Sequence, residues 1–213
     1  MKRSITIIAL LAWPLYANDL YLIALGNSRL GLLWSLDILF FLLIPTATLV
    51  WLIRSKRISI LEIGLGSPPN AEALIAGLSL CAILIVLFHW NFDPWAGRML
   101  PWRLYAGYDF PKDQPLRGCL IAYAALSAGF LEEVVYRGVV ISQLRKNGKS
   151  AVYAVAMSCI IFGGIHWSEG PAKVLATGLW SVPLAFWYVK RKSLWGPIAC
   201  HTLYDLLIFT RVV

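Results

Sequence analysis

The sequence predicts an all-α, polytopic transmembrane helical bundle of about seven spans, six to eight by length. Three observations predict it. Of the 213 residues, 59% are hydrophobic and only 14% charged, with a mean hydropathy of +0.70; an ordinary soluble domain has roughly 45–50% apolar and about 25% charged residues. The apolar residues fall into runs near the ~20 that a bilayer-spanning helix needs. Short groups of cations and turn residues punctuate the runs. A soluble fold of this size cannot hide so much apolar surface. A soluble enzyme, a disordered chain and a disulfide-built secreted module are therefore excluded, and residues 1–213 read as a single integral membrane domain.

The predicted spans are 5–25, 31–53, 71–91, 117–144, 150–167, 173–189 and 194–211. The first follows Lys2-Arg3 and imitates a signal peptide, with Leu15-Tyr16-Ala17 a passable cleavage site. With six further spans behind it, we read it as an uncleaved helix. Pro14 and the Asn18-Asp19 pair mark a kink or a wet face in it. Asn27-Ser28-Arg29 leads into the second span, where Asp37 signals a wet face or a structural partner. Arg54-Ser55-Lys56-Arg57 and Ser67-Pro68-Pro69-Asn70 bound the next connection, with Glu62 and Glu72 as solvated carboxylates; His89 closes the third span as an interfacial histidine. The longest loop, 92–116, carries Trp95, Trp102, Tyr105 and Tyr108 among four prolines. Such rings anchor at a membrane interface, either as a flat amphipathic element over 95–106 or as a lid over a site. Arg145-Lys146-Asn147-Gly148-Lys149 and Lys190-Arg191-Lys192 end the fourth and sixth spans.

The formal charge of +8 comes from 19 Lys+Arg against 11 Asp+Glu. The cations sit in small groups between apolar runs, which encodes topology, and no nucleic-acid partner is expected. One side receives Lys2, Arg3, Arg54, Lys56, Arg57, Arg145, Lys146, Lys149, Lys190, Arg191 and Lys192; the other receives Arg29, Arg98, Arg103, Lys112, Arg117, Lys173 and Arg211. The richer side is expected to be cytoplasmic, which puts the N-terminus inside and the C-terminus outside. The expected location is a prokaryotic plasma membrane. Cys81, Cys119, Cys159 and Cys200 stand singly in apolar runs without a CxxC pair, and read as buried, inert thiols.

Ionisable groups inside spans are costly and mark function by default. The fourth span contains Glu132-Glu133-Val134-Val135-Tyr136-Arg137. Glu133 and Arg137 are four apart, on one helical face, and can pair. Glu132 points about 100° away, which leaves it for another task; the bland alternative is that both carboxylates join a buried polar network. The fifth span ends Phe162-Gly163-Gly164-Ile165-His166, and the seventh holds His201 and Asp205 four apart. Three helices thus offer a base, a polarising group and candidate stabilisers of an oxyanion.

At these residues the chain resembles the CPBP intramembrane proteases, which include the type II CAAX prenyl proteases and the Abi or bacteriocin-processing proteins. The family pattern is EExxxR, FxxxH, then HxxxN or HxxxD on successive transmembrane helices. Here it reads Glu132-Glu133-xxx-Arg137, Phe162-xxx-His166 and His201-xxx-Asp205, with a protease core over about 117–209. The resemblance implies a glutamic-type intramembrane endopeptidase acting on a membrane-associated peptide or protein. Glu132 and His166 would activate water, and His201 with residue 205 would stabilise the oxyanion. Glu133 and Arg137 would hold the site in shape. No metal or other cofactor is implied. Asp205 replaces the commoner Asn, and an ionised carboxylate cannot donate to an oxyanion; it either orients His201 or stays protonated.

Three other readings use the same residues. Glu132, His166, His201 and Asp205 offer donors that zinc accepts, although no HExxH is present. A non-enzymatic scaffold or immunity protein, and a proton-coupled carrier, also place polar groups inside a bundle. Depth poses a further problem. At 1.5 Å per residue, His166 lies ~25 Å from Lys149 but His201 only ~14 Å from Lys192. A break at Gly163-Gly164, tilted helices or shifted boundaries are the ways to level them.

Overall fold

Hydrophobic runs separated by capped turns give helices, and a computed structural model shows them over residues 2–25, 29–104 and 110–212, the described part of the chain. Among the described residues there are seven long helical elements and no strand. They are α1 Lys2–Leu25, α2 Leu30–Arg54, α3 Ala71–Met99, α4 Gln114–Lys146, α5 Ala151–Gly164, α6 Pro171–Arg191 and α7 Trp195–Thr210. Five are long and apolar enough to cross a membrane; α5 and α7 are shorter, at 14 and 16 residues. The starts follow local chemistry: Asn70, Asp113 and Ser150 each accept a hydrogen bond from the backbone N–H three residues on, capping α3, α4 and α5. Left-handed Lys192 and Arg211 close α6 and α7.

Two boundaries differ from expectation. α3 continues through the start of the predicted 92–116 loop to Met99, across Pro94. A wide π-helical stretch, Ile85–Phe92, immediately precedes that proline, and another, Ile38–Leu43, precedes Pro45 in α2. Wider turns draw the preceding carbonyls away from the proline ring, so the helices continue where a regular one would break. Tyr105 and Tyr108 of that loop lie outside the described residues, as do Asn27 and Ser28. Trp95 and Trp102 are exposed.

The connection between α2 and α3 turns inward and plugs the bundle. Ile58 and Ile63 are buried, the Tyr188 hydroxyl donates to the Glu62 carbonyl at 2.5 Å, and Leu194 N–H donates to the Gly64 carbonyl at 3.0 Å. Leu194 itself is buried, and both Ile63 and Leu194 lie against Gly138 of α4. α7 therefore starts level with Gly138 rather than with Lys146, eight residues or roughly 12 Å higher along α4. That offset accounts for the depth mismatch between His166 and His201. α5 also stops at Gly164, so His166 stands on the turn beyond it.

Contacts at one end of the bundle engage Lys146 and Arg191, two of the cations of the richer side. Ser4 donates to Gln143, Lys146 pairs with Glu62 at 2.6 Å, and Arg191 pairs with Glu72 at 3.4 Å. Asp37 is a structural partner, accepting from the hydroxyls of Tyr21 at 2.9 Å and Tyr123 at 2.8 Å and so tying α1, α2 and α4. Cys81, Cys159 and Cys200 are buried, whereas Cys119 is exposed, which corrects the expectation for that thiol.

α4 and α7 approach closely at Gly129, one turn before Glu132. A Cβ there would lie 2.1 Å from Thr202 Oγ1 and 2.8 Å from its backbone nitrogen. Small residues let transmembrane helices meet at backbone distance. Gly129→Ala is expected to push α7 away and cost about 1–3 kcal/mol, read as a lowered midpoint of thermal unfolding in detergent.

Candidate functional site

α4 changes from regular to π-helical geometry at the motif itself, with Glu133–Ile141 wound in wide turns. The sequence reading assumed a regular helix here. The two carboxylates nevertheless point to different surroundings. Glu133 and Arg137 turn inward, both fully buried, with Arg137 Nη1 3.2 Å from Glu133 Oε1. Glu132, 5% exposed, faces a cavity of about 710 Å³. His166, His201 and Asp205 line the same cavity, so four candidate residues from α4, the α5–α6 turn and α7 meet in one place.

His201 is held from behind. Its Nδ1 donates to Glu133 Oε1 at 2.8 Å, the oxygen that also faces Arg137. An imidazole donating through Nδ1 presents Nε2 to the other side. On that side lie Glu132 Oε2 at 3.7 Å and Asp205 Oδ2 at 3.6 Å. Both are beyond hydrogen-bond length. The carboxylate hydrogen-bonded to His201 is thus that of Glu133 rather than Asp205.

Phe162, the aromatic of the second motif, explains itself physically. The Arg137 guanidinium lies over its ring at 4.1 Å, while both imidazoles meet the ring at right angles, His166 at 5.7 Å and His201 at 5.8 Å between centroids. The ring face thereby covers a buried cation whose other nitrogens meet no acceptor among the described residues. Trp180 of α6 packs on His201 at 5.0 Å and closes the apolar wall.

Several residues around the site were not found by sequence reasoning. Glu169 accepts from His166 Nδ1 at 2.9 Å. Burial pushes the Glu169 carboxyl up, but the His166 hydrogen bond and the Lys173 charge outweigh it and hold it down to about 2. A carboxyl depressed in this way contributes stability above its ordinary value of 4.5 and loses it as pH falls through about 2. Asp19 of α1 accepts from Ser168 N–H at 3.0 Å, and Leu104 N–H donates to the Ser168 carbonyl at 2.8 Å, clamping this turn from two sides. Asp93 and Lys173 line the main cavity and a neighbouring one of about 450 Å³, the second bounded by Pro101, Trp102 and Arg103. Neither helical period nor motif spacing connects α1, α3 and this turn, so only the fold could reveal them. Among the described residues no three or more His, Cys, Asp or Glu side chains are arranged to hold a metal ion.

Known proteins supply an independent comparison. UPF0177 protein YvdC of Lactococcus lactis subsp. lactis (strain IL1403) is 31% identical over 87 residues, covering 41% of this chain and 33% of that protein. The match thus spans about a third of the relative's length. No solved structure matches the chain. Residues 114–207 match the family described as type II CAAX prenyl endopeptidase Rce1-like, a stretch that contains Glu132, Glu133, Arg137, His166, His201 and Asp205. That stretch, less than half of the chain, is what the chain shares with the Rce1-like family.

Proposed function

We propose that the chain is an intramembrane endopeptidase that hydrolyses a peptide bond of a membrane-associated peptide or protein with water as the nucleophile. The observation that carries this reading is the meeting of Glu132, His166, His201 and Asp205 on one cavity inside an apolar bundle. A bilayer-embedded cavity of that size admits an extended segment of peptide. Glu132 takes a proton from the water that its carboxylate and His166 hold, and the water oxygen adds to the scissile carbonyl carbon. The carbonyl oxygen becomes an oxyanion, which His201 Nε2–H stabilises in the imidazolium form, its charge balanced by Glu133 behind it. The proton then passes from Glu132 to the leaving nitrogen, so the products are one carboxylate and one amine. No serine or cysteine nucleophile takes part.

Asp205 faces the same side of His201 and donates to the oxyanion only when protonated. Asp205→Asn supplies a permanent donor of similar shape, so cleavage is expected to stay within about tenfold of native. Asp205→Ala removes the donor and is expected to lose about 10²–10³-fold. Initial rates on one peptide substrate decide between them; loss in Asp205→Asn equal to that in Asp205→Ala would show that the carboxylate itself is required.

The proposal is tested with the purified chain in lipid vesicles and a panel of membrane-anchored peptides with free, lipidated or leader-type ends. Cleavage is followed by mass spectrometry in ¹⁸O-labelled water, with chelator and added zinc as separate arms. One ¹⁸O in the new carboxyl, a product absent with His166→Gln, and indifference to chelation are expected. Cleavage that stops with chelator and returns with zinc would move the same residues to the metal reading.

A further inference from the structure

The two imidazoles of the site are held alike. His201 is bonded through Nδ1 to Glu133, and His166 through Nδ1 to Glu169. The first carboxylate belongs to the motif on α4; the second lies outside every motif read in the sequence. Its position follows from local geometry. Residues Trp167–Glu169 form one 3-10 turn, with Glu169 N–H bonded to the His166 carbonyl at 3.1 Å. In such a turn side chains three apart eclipse one another, which brings the Glu169 carboxylate over the His166 ring. The turn cannot drift, because Asp19 and Leu104 grip Ser168 from opposite sides. Gly170 then leaves it at φ +94°, where a Cβ would strike the Trp102 carbonyl.

We propose that Glu169 is a positioning residue for His166: by accepting from Nδ1–H it fixes the imidazole tautomer and orientation, so that Nε2 is the atom turned to the attacking water. This rests on the endopeptidase reading for its catalytic consequence, but not for the hydrogen bond itself. The carboxylate touches neither water nor peptide in the step; it acts through the ring. Glu169 lines both the main cavity and its 450 Å³ neighbour, so it forms part of the wall between them.

The test uses the full chain, uniformly ¹⁵N-labelled at histidine, in detergent under alkaline conditions where imidazole is neutral. Only three histidines are present, His89, His166 and His201, and the His166→Gln spectrum assigns the signals. The native chain is expected to show His166 protonated at Nδ1. Glu169→Gln, whose amide oxygen still accepts, is expected to keep that tautomer and most of the turnover. Glu169→Ala is expected to shift it toward Nε2–H and to lower kcat by about 10–100-fold, with KM within about twofold. A native His166 protonated at Nε2 overturns the proposal, as does Glu169→Ala with unchanged tautomer and kcat. Glu169→Gln as damaged as Glu169→Ala overturns it too, since orientation would then not be the property lost. A native chain that cleaves no peptide defeats the endopeptidase reading alone, because the tautomer is read without substrate.

Discussion

Glu132→Gln is expected to abolish cleavage, lowering kcat by about 10³–10⁴-fold, while leaving yield and unfolding midpoint near native. The size follows from the role: an amide of the same shape fills the same space but cannot take a proton from water. The sparing of the fold follows from the surroundings. Glu132, Glu133 and Asp205 all place an oxygen within 4 Å of the His201 ring, at 3.7, 2.8 and 3.6 Å. Removing one negative charge from that group relieves repulsion rather than leaving a cation unpaired. Single-turnover rates and thermal unfolding of the same preparations check both halves. A variant that folds well and still cleaves at more than a tenth of the native rate would remove Glu132 from the chemistry.

The Glu133–Arg137 pair is expected to behave in the opposite way. Both side chains are fully buried, and Arg137 leans on Phe162 for the rest of its contacts. Breaking such a pair from one side costs about 3–5 kcal/mol, because the partner is left charged and uncompensated. Against a total stability of about 5–15 kcal/mol, Arg137→Ala should reduce folded protein severely. Glu133→Gln should reduce yield as well, though its amide still accepts from His201 Nδ1. Glu133→Gln combined with Arg137→Met removes both charges at similar volume, so yield should recover toward native. Turnover should remain at least about tenfold low, because the His201 imidazolium loses the carboxylate that balances it. Size-exclusion profiles and peptide cleavage of the three variants measure these outcomes. Native yield with no turnover in Glu133→Gln alone would instead give Glu133 a part in the reaction.

These expectations also show which parts of the molecule could be read from its residues. Scarcity of charge made Glu132, Glu133, Arg137 and Asp205 conspicuous, and the four-residue spacing correctly paired Glu133 with Arg137. Hydropathy located all seven helices, since lipid-facing runs are long and their ends are charged or capped. What hydropathy could not show was a connection that turns inward. Residues 58–66 lie between the Arg54–Arg57 cations and Ser67-Pro68-Pro69-Asn70 and so read as a connecting loop, yet Ile58 and Ile63 are buried, and α7 starts about 12 Å along α4 as a result. Regular helical periodicity also missed the π-helical winding at Glu133–Ile141, because a wide turn leaves no mark in composition. The contacts of Asp19 and Glu169 stayed hidden for a third reason. Each acts through a partner far away in sequence or on a turn, where no period applies.

The central claim is that the chain cleaves peptides in a membrane by means of Glu132. The most direct measurement compares new peptide termini in membranes containing the native chain with those containing Glu132→Gln at equal abundance, using mass spectrometry of labelled termini. One or more termini from membrane-associated proteins, present with the native chain and absent with the variant, are expected. Identical sets of termini in the two membranes would contradict the claim.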